Sequence, residues 1–259
     1  MQLVIPDWPH LPANIGACCT TRRGGVSLAP FDDDSGGGGM NVGSHVGDDP
    51  AAVLENRSRL QRLLPSAPVW LKQVHGVVVL DAGWHVSAPQ SGNEPQADAS
   101  FASQPGVVCA IQTADCLPVL FCDKAGRVVA GAHAGWRGLA AGVLQRTVQA
   151  MRAAGAGEVM AWLGPAIGPQ QFEVGSDVCD AFAALLATSA TPGTCFVPHP
   201  RHAGKYLADI YQLARLALAE VDVIDVAGGG YCTVSSPQRF YSYRRDQRTG
   251  RMVSCIWIK

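Results

Sequence analysis

No stretch of this 259-residue chain carries 18 apolar residues in a row, so no helical membrane span is expected. The N-terminus, MQLVIPDWPH, has no basic region ahead of an apolar run, and no secretory signal is expected. Charge of one sign is missing too. Twenty Lys and Arg stand against 21 Asp and Glu, a net charge of −1, so no field draws nucleic acid or an anionic lipid surface. Small molecules are the expected partners. The nine cysteines include no CxxC pair and are odd in number, and a chain of this length buries a core without covalent staples. Reduced thiols and a cytoplasmic location are expected. The seven histidines include no HxH pair of the kind a multicopper cluster uses, and the Gly36–Gly39 run lacks the Lys-Ser/Thr of a P-loop. There is no internal repeat.

What is present reads as one globular domain over residues 1–259: 47% hydrophobic and 16% charged residues lie outside the range of disordered chains. Asp49 to Leu64 predicts a helix, capped by Asp49 with Pro50 at the first helical position, and Val53, Leu54, Leu60, Leu63 and Leu64 on its apolar face. Further helices are expected at about 139–153, 176–187 and 207–220. Strand-like runs lie at 69–73, 77–80, 106–113, 117–122, 127–133 and 159–164, with a hairpin turn at 122–126. Four more are expected in the last third: VDVIDV, GYCTVS, RFYSYR and MVSCIWIK. The residues between Ala82 and Ala97 read as a surface loop, and the acidic, Gly-rich stretch DDDSGGGG as a mobile one. Strands and helices mix without regular βα alternation. This predicts an α+β fold, a single-domain mixed β-sheet sandwich with flanking helices.

Three strand-like runs each deliver a reactive side chain at their end: WLKQVHG delivers His75, AIQTADC delivers Cys116, and VVAGAHAGWRG delivers His133. Strand ends are where folds present functional groups. Two His and one Cys are zinc ligands, and three protein ligands leave a fourth position for water or substrate. The spacings match no zinc-finger rule, so turn histidines and a buried thiol remain the alternative. Asp115 is placed to bond a ligand, orient a water, take a proton, or only cap a turn. Arg137, at the start of the second helix, suits an anion such as phosphate or a surface salt bridge. Arg57 lies mid-helix, facing a cleft or solvent. Asn41 and His45, in the loop before the first helix, suit a base or sugar. The run RFYSYRRDQRTGR, with two Tyr and several Arg, suits a phosphate or base-stacking surface or, more simply, a solvated hairpin.

Taken together and in order, TTRRGGVS, HVGDDP, ENR, WLKQVHG, ADAS, TADCLPVLF, AHAGWRGLAAGVL, WLGPAIGP, FEVG, FYSYRRD and TGRMVSCIWIK resemble the YfiH family over residues 20–259. Its members are also described as laccase-domain, polyphenol oxidase or purine nucleoside phosphorylase proteins, or as peptidoglycan editing factors. The resemblance implies an open zinc site at His75, Cys116 and His133. It implies cleavage of adenosine, inosine, guanosine or methylthioadenosine by inorganic phosphate, with adenosine deamination besides, and a link to peptidoglycan editing. The implied fold is an α+β sandwich related to cysteine hydrolases. On this reading Arg57 and Arg137 hold phosphate, Asn41, His45 and Gln73 contact substrate, and Asp115, Cys116 and His133 carry the chemistry. The chain departs from the family at PFDDDSGGGGMNVGSHVGD, which is several residues longer than usual. A cysteine hydrolase with Cys116 as nucleophile, His133 as base and Asp115 or Gln73 as orienter needs the same residues. A copper oxidase matches the donor types less well, since nothing places a methionine axially. A non-enzymatic regulator of wall synthesis is a fourth reading. A monomer is expected.

Overall fold

The computed structural model describes residues 1–87, 94–188 and 195–259. Its first part runs β1 (Leu3–Val4), β2 (Ile15–Thr20), β3 (Arg23–Ser27), α1 (Pro50–Gln61), β4 (Pro68–Val69), β5 (Val79–Asp81), α2 (Ala82–Ser87) and β6 (Ala99–Ala102). The middle holds β7 (Val108–Thr113), β8 (Leu117–Asp123), β9 (Val129–Ala134), α3 (Trp136–Ala140), α4 (Val143–Ala153) and β10 (Val159–Leu163). Then follow β11 (Glu173–Val174), α5 (Ser176–Ala181), α6 (Ala183–Ala187), β12 (Phe196–Pro198) and β13 (Tyr206–Ala208). The chain ends with α7 (Ile210–Ala219), β14 (Val226–Gly228), α8 (Tyr243–Asp246) and β15 (Met252–Ile258).

Two sheets face each other. One has the order β1-β2-β15-β7-β4 and the other β14-β10-β8-β9-β6-β5; β11-β13-β12 form a small third sheet. Pairing is mixed, with β4–β7, β5–β6 and β10–β14 parallel and the other ladders antiparallel. The period of two in strand side chains explains the layers. Cys109 and Ile111 of β7 meet Leu120 and Cys122 of β8 between the sheets. Their alternates point outward: Val108 and Ala110 pack with Met40, Val42 and Leu60. Val119 and Phe121 pack on α4 and α7 through Val143, Leu144, Val148, Leu213 and Leu218. The result is helix, sheet, sheet, helix, with strands buried on both faces, as their unbroken apolar runs require.

Several elements differ from expectation for identifiable reasons. In α1, Asp49 caps the helix by accepting from Ala51 N–H, but the buried face is Val53, Asn56 and Leu60, while Leu54 and Leu63 are exposed. Asn56 is wholly buried because its amide joins four backbone or side-chain groups at Val26, Ser27, Gly39 and Asn41. The helix expected at 139–153 is two helices, broken at Gly142 with φ of +91°. The helix at 176–187 breaks at Phe182. GYCTVS and RFYSYR form no strand; Tyr243–Asp246 is a turn of helix capped by Ser242. Within the expected loop at 82–97, residues 82–87 are helical, and part of it lies outside the described residues. Asp33 accepts from Ser35 and Gly37, and a Cβ at Gly39 would collide with the Phe31 carbonyl and Tyr241 hydroxyl.

Candidate metal centre and substrate cavity

One buried carboxylate organises the site. Asp98, just ahead of β6, is fully buried and accepts from the backbone N–H groups of Val74, His75 (2.8 Å) and Gly76 (2.7 Å). These bonds hold the loop on which His75 sits at φ of +61°, a conformation a non-glycine residue adopts only when its surroundings fix it. The same carboxylate accepts from His133 Nδ1 at 2.9 Å. An ionised carboxylate has no proton to give, so Nδ1 carries a ring proton, and in the neutral ring a metal would bind, Nε2 is the nitrogen with the lone pair. Burial would raise the Asp98 pKa; the bonds from His133, Gly76 and Val74 outweigh it and hold the carboxyl below its usual range.

Cys116 arrives between β7 and β8, after Asp115 at φ of +91°. Its Sγ lies 3.7 Å from His75 Nε2, and the His75 and His133 rings meet edge-on at 4.8 Å. Gly135 makes this approach feasible: a Cβ there would lie 2.6 Å from His75 Cδ2 and 3.2 Å from Cys116 Sγ. Enclosure would raise the Cys116 thiol, but the His133 charge and hydrogen bonds from both imidazoles bring it down to about 6. His133 moves the other way. Burial lowers it, while Cys116 and Asp98 overcome that and push it up to about 9. Without a metal the arrangement thus favours a thiolate–imidazolium pair.

The donor set fits a metal ion. The donor atoms of His75, Cys116 and His133 lie within 4.8 Å of one another, and bonds of about 2.0–2.3 Å at tetrahedral angles need donors roughly 3.5 Å apart. A cavity of about 390 Å³ opens over them, also lined by His45, Gln73, Gln112, Tyr243 and Arg251. Glu173, His199 and His202 form a second cluster. There, His199 Nδ1 accepts from the N–H groups of Arg201 and His202, so its Nε2 carries the proton and donates to Glu173 instead of facing an ion.

The other expected site residues are distributed unevenly. His45 and Gln73 line the cavity, but the Gln73 amide is spent on the backbone N–H and C=O of Gln112, at 2.8 Å each. Asn41 is buried, accepting from Gly43 N–H and Arg251 N–H and donating to Asp48. Asp115 turns away from the cavity and accepts from Ser242 Oγ (3.0 Å), Thr233 Oγ1 and Arg244 N–H (2.6 Å). Arg57 donates twice to Glu94 at 3.0 Å and stacks 4.0 Å over Trp70. Arg137 is exposed against the Trp136 ring and does not line the cavity. Asp98 and Gly135 were not singled out by sequence, although ADAS and AHAGWRG contain them. Arg251 ends the run RFYSYRRDQRTGR, which the sequence offered as a phosphate surface or a solvated hairpin; the structure places its side chain in the lining of the cavity.

The family described as multi-copper polyphenol oxidoreductase laccase matches residues 16–259. The chain belongs to this laccase-domain family. It is 53% identical to a purine nucleoside phosphorylase of Pseudomonas aeruginosa, over 98% of this chain and 97% of that one. It is 51% identical to the purine nucleoside phosphorylase YfiH of Escherichia coli, over 99% of both. The crystal structure of Neisseria meningitidis protein NMB0706 shares 46% identity and a TM-score of 0.86 over the whole of both chains. That of YlmD from Geobacillus stearothermophilus shares 29% identity and a TM-score of 0.85, over 100% of this chain and 97% of that one.

Proposed function

We propose that this protein is a zinc-dependent purine nucleoside phosphorylase whose substrates meet in the cavity above His75, Cys116 and His133. The observation that carries this reading is the convergence of a thiolate and two imidazoles on one cavity, in a chain whose relatives are named purine nucleoside phosphorylases. Zinc suits the donors better than copper. A thiolate and two imidazoles serve either ion, but no methionine lines the cavity to act as the axial ligand of a blue-copper site. When bound, the ion supplies a Lewis acid beside the leaving group.

The chain's own residues supply position and proton control. Asp98 fixes the His133 tautomer and the His75 loop together, so the two imidazoles hold their geometry before substrate arrives. Leu71 and Ala114 give the cavity an apolar wall for a purine face, and the Gln112 side chain offers it an amide. Adenosine, inosine, guanosine and methylthioadenosine are the proposed substrates, with adenosine deamination as a second reaction and a link to peptidoglycan editing as the physiological setting.

Elemental analysis of protein purified without added metal, paired with purine release with and without phosphate, tests the reading. Close to one zinc per chain and phosphate-dependent release are expected. Zinc unchanged in a Cys116→Ala/His133→Ala double variant would overturn it.

A second reading has its own observation. Cys116, His133 and Asp98 are arranged as nucleophile, base and orienter, as in a cysteine hydrolase, and the thiol is brought down to about 6. Iodoacetamide separates the two. A metal-bound thiolate reacts slowly until the metal is stripped, whereas a free nucleophile is alkylated at once with loss of activity.

A further inference from the structure

The cavity over the metal centre does not end at His45, Tyr243 and Arg251. The same three residues line a second chamber of about 420 Å³, which continues to Val46, Gln247, Arg248 and Thr249. The two chambers therefore form one cleft with these side chains at its waist. Among the described residues, neither chamber is lined by an Asp or Glu.

Among the described residues, the arginines of this cleft form no ion pair. Arg251 is half-buried and takes part in no ion pair among the described residues; its Nη1 donates only to the carbonyls of Thr249 and Gly250, in its own turn. Among the described residues, the Arg248 guanidinium hydrogen-bonds just the Gly47 carbonyl, at 3.3 Å, and lies 5.4 Å over the Phe31 ring. Thr249 is 2% exposed, and its hydroxyl has no hydrogen-bond partner among the described residues. A half-buried guanidinium that feels Asp115 and Cys116 only through space, with no carboxylate in ion-pair reach, beside an orphaned buried hydroxyl, is a costly arrangement unless an anion completes it. Arg57 offers the contrast: Glu94 already takes both of its terminal nitrogens.

We infer that the second chamber is the phosphate subsite, with Arg251 as its principal contact and Arg248 and Thr249 in support. This rests on the phosphorolysis reading and deepens it. With the purine in the first chamber and phosphate in the second, the sugar C1′ lies at the waist, between nucleophile and leaving group. A phosphate oxygen supplies the electron pair of the new C1′–O bond. The C1′–N9 pair leaves with the purine, and the proton of hydrogen phosphate ends on the purine. Two arginines on one side of an in-line displacement stabilise charge and hold the nucleophile.

The test is calorimetric titration of inorganic phosphate into the metal-loaded full-length protein, with steady-state purine release alongside. Arg251→Gln is expected to weaken phosphate binding on the order of ten- to a hundredfold. Metal content should be retained, and nucleoside binding measured without phosphate should weaken much less than phosphate binding. Arg248→Gln and Thr249→Val are expected to give smaller losses of the same kind; because one is exposed and the other nearly isosteric, they carry the test if Arg251→Gln does not fold. The inference is overturned if phosphate affinity survives all three substitutions, or if the main loss falls on Arg57→Gln or Arg137→Gln. Phosphate binding that Arg251→Gln removes, in a protein that releases purine equally well without phosphate, would keep the subsite and sink the phosphorolysis reading.

Discussion

A carboxylate that accepts from three consecutive backbone N–H groups and from an imidazole, as Asp98 does, cannot be replaced by its own amide without conflict. In Asp98→Asn one carboxylate oxygen becomes an NH2 that faces donors. Either His133 loses its fixed tautomer or the His75 loop loses part of its anchor. We expect metal affinity to fall about 10- to 100-fold, measured by competition with a chromophoric chelator, with the fold retained. Unchanged affinity would mean that the geometry is set elsewhere. Gly135→Ala should act more severely, because the new Cβ meets the His75 ring and crowds Cys116 Sγ. Loss of metal with an unaltered far-ultraviolet spectrum is the expected outcome. At this scale the sequence was readable in part. The side chains of His75, Cys116 and His133 stand out by chemical type. Asp98 does not, because its importance comes from backbone groups more than 20 residues away that only the folded chain brings to it.

Elements were more legible where hydrogen bonding is local and repetitive. β7, β8, β9 and β10 emerge from apolar runs with clear breaks, and α7 from its helical stripe, although its start at Ile210, after the Asp209 cap, lies three residues inside the expected helix. Two misread strands lie where a polar side chain replaces the regular ladder. GYCTVS and RFYSYR are tied down instead by Asp115, which gathers Thr233, Ser242 and the Arg244 N–H and so excludes a strand pairing there. The turn between β8 and β9 was readable and rests on one residue. Asp123 is fully buried and accepts from the N–H groups of Arg127 (2.6 Å) and Val128 (2.9 Å). Burial would raise its carboxyl, but backbone donors from Val128, Arg127 and Gly157 hold it below its usual range. A carboxyl depressed on folding adds stability above its unfolded pKa of about 3.9, and that stability is lost as pH falls through the folded value. Asp123→Asn should therefore cost about 1–3 kcal/mol at pH 7 by urea denaturation, and the deficit should shrink as both proteins are titrated into acid. A deficit independent of pH would assign the effect to packing.

For the molecule as a whole, the mixed sheets in one domain follow from the irregular order of strands and helices, whereas the pairing does not. β15, from the last residues of the chain, lies between β2 and β7 at the centre of a sheet, and no local signal announces a contact across more than 230 residues. The same long-range closure builds the cleft. His45 comes from before α1, Gln73 and His75 from after β4, Cys116 and His133 from the central strands, and Tyr243 and Arg251 from the C-terminal segment. The cleft exists only when nearly the whole chain is folded, so a metal bound there stabilises the folded state by mass action. At free metal a hundredfold above its dissociation constant the gain is about 2.7 kcal/mol. For a domain of this size each kcal/mol is worth about 2–4 °C in Tm. Stripping the ion with a chelator should thus lower the Tm by roughly 5–10 °C. Cys116→Ser, which removes the thiolate donor, should start from the lower Tm and show no further shift. A chelator effect of equal size in Cys116→Ser would place the stabilising ion at a different site, and no effect in either protein would remove the ion from the folding equilibrium.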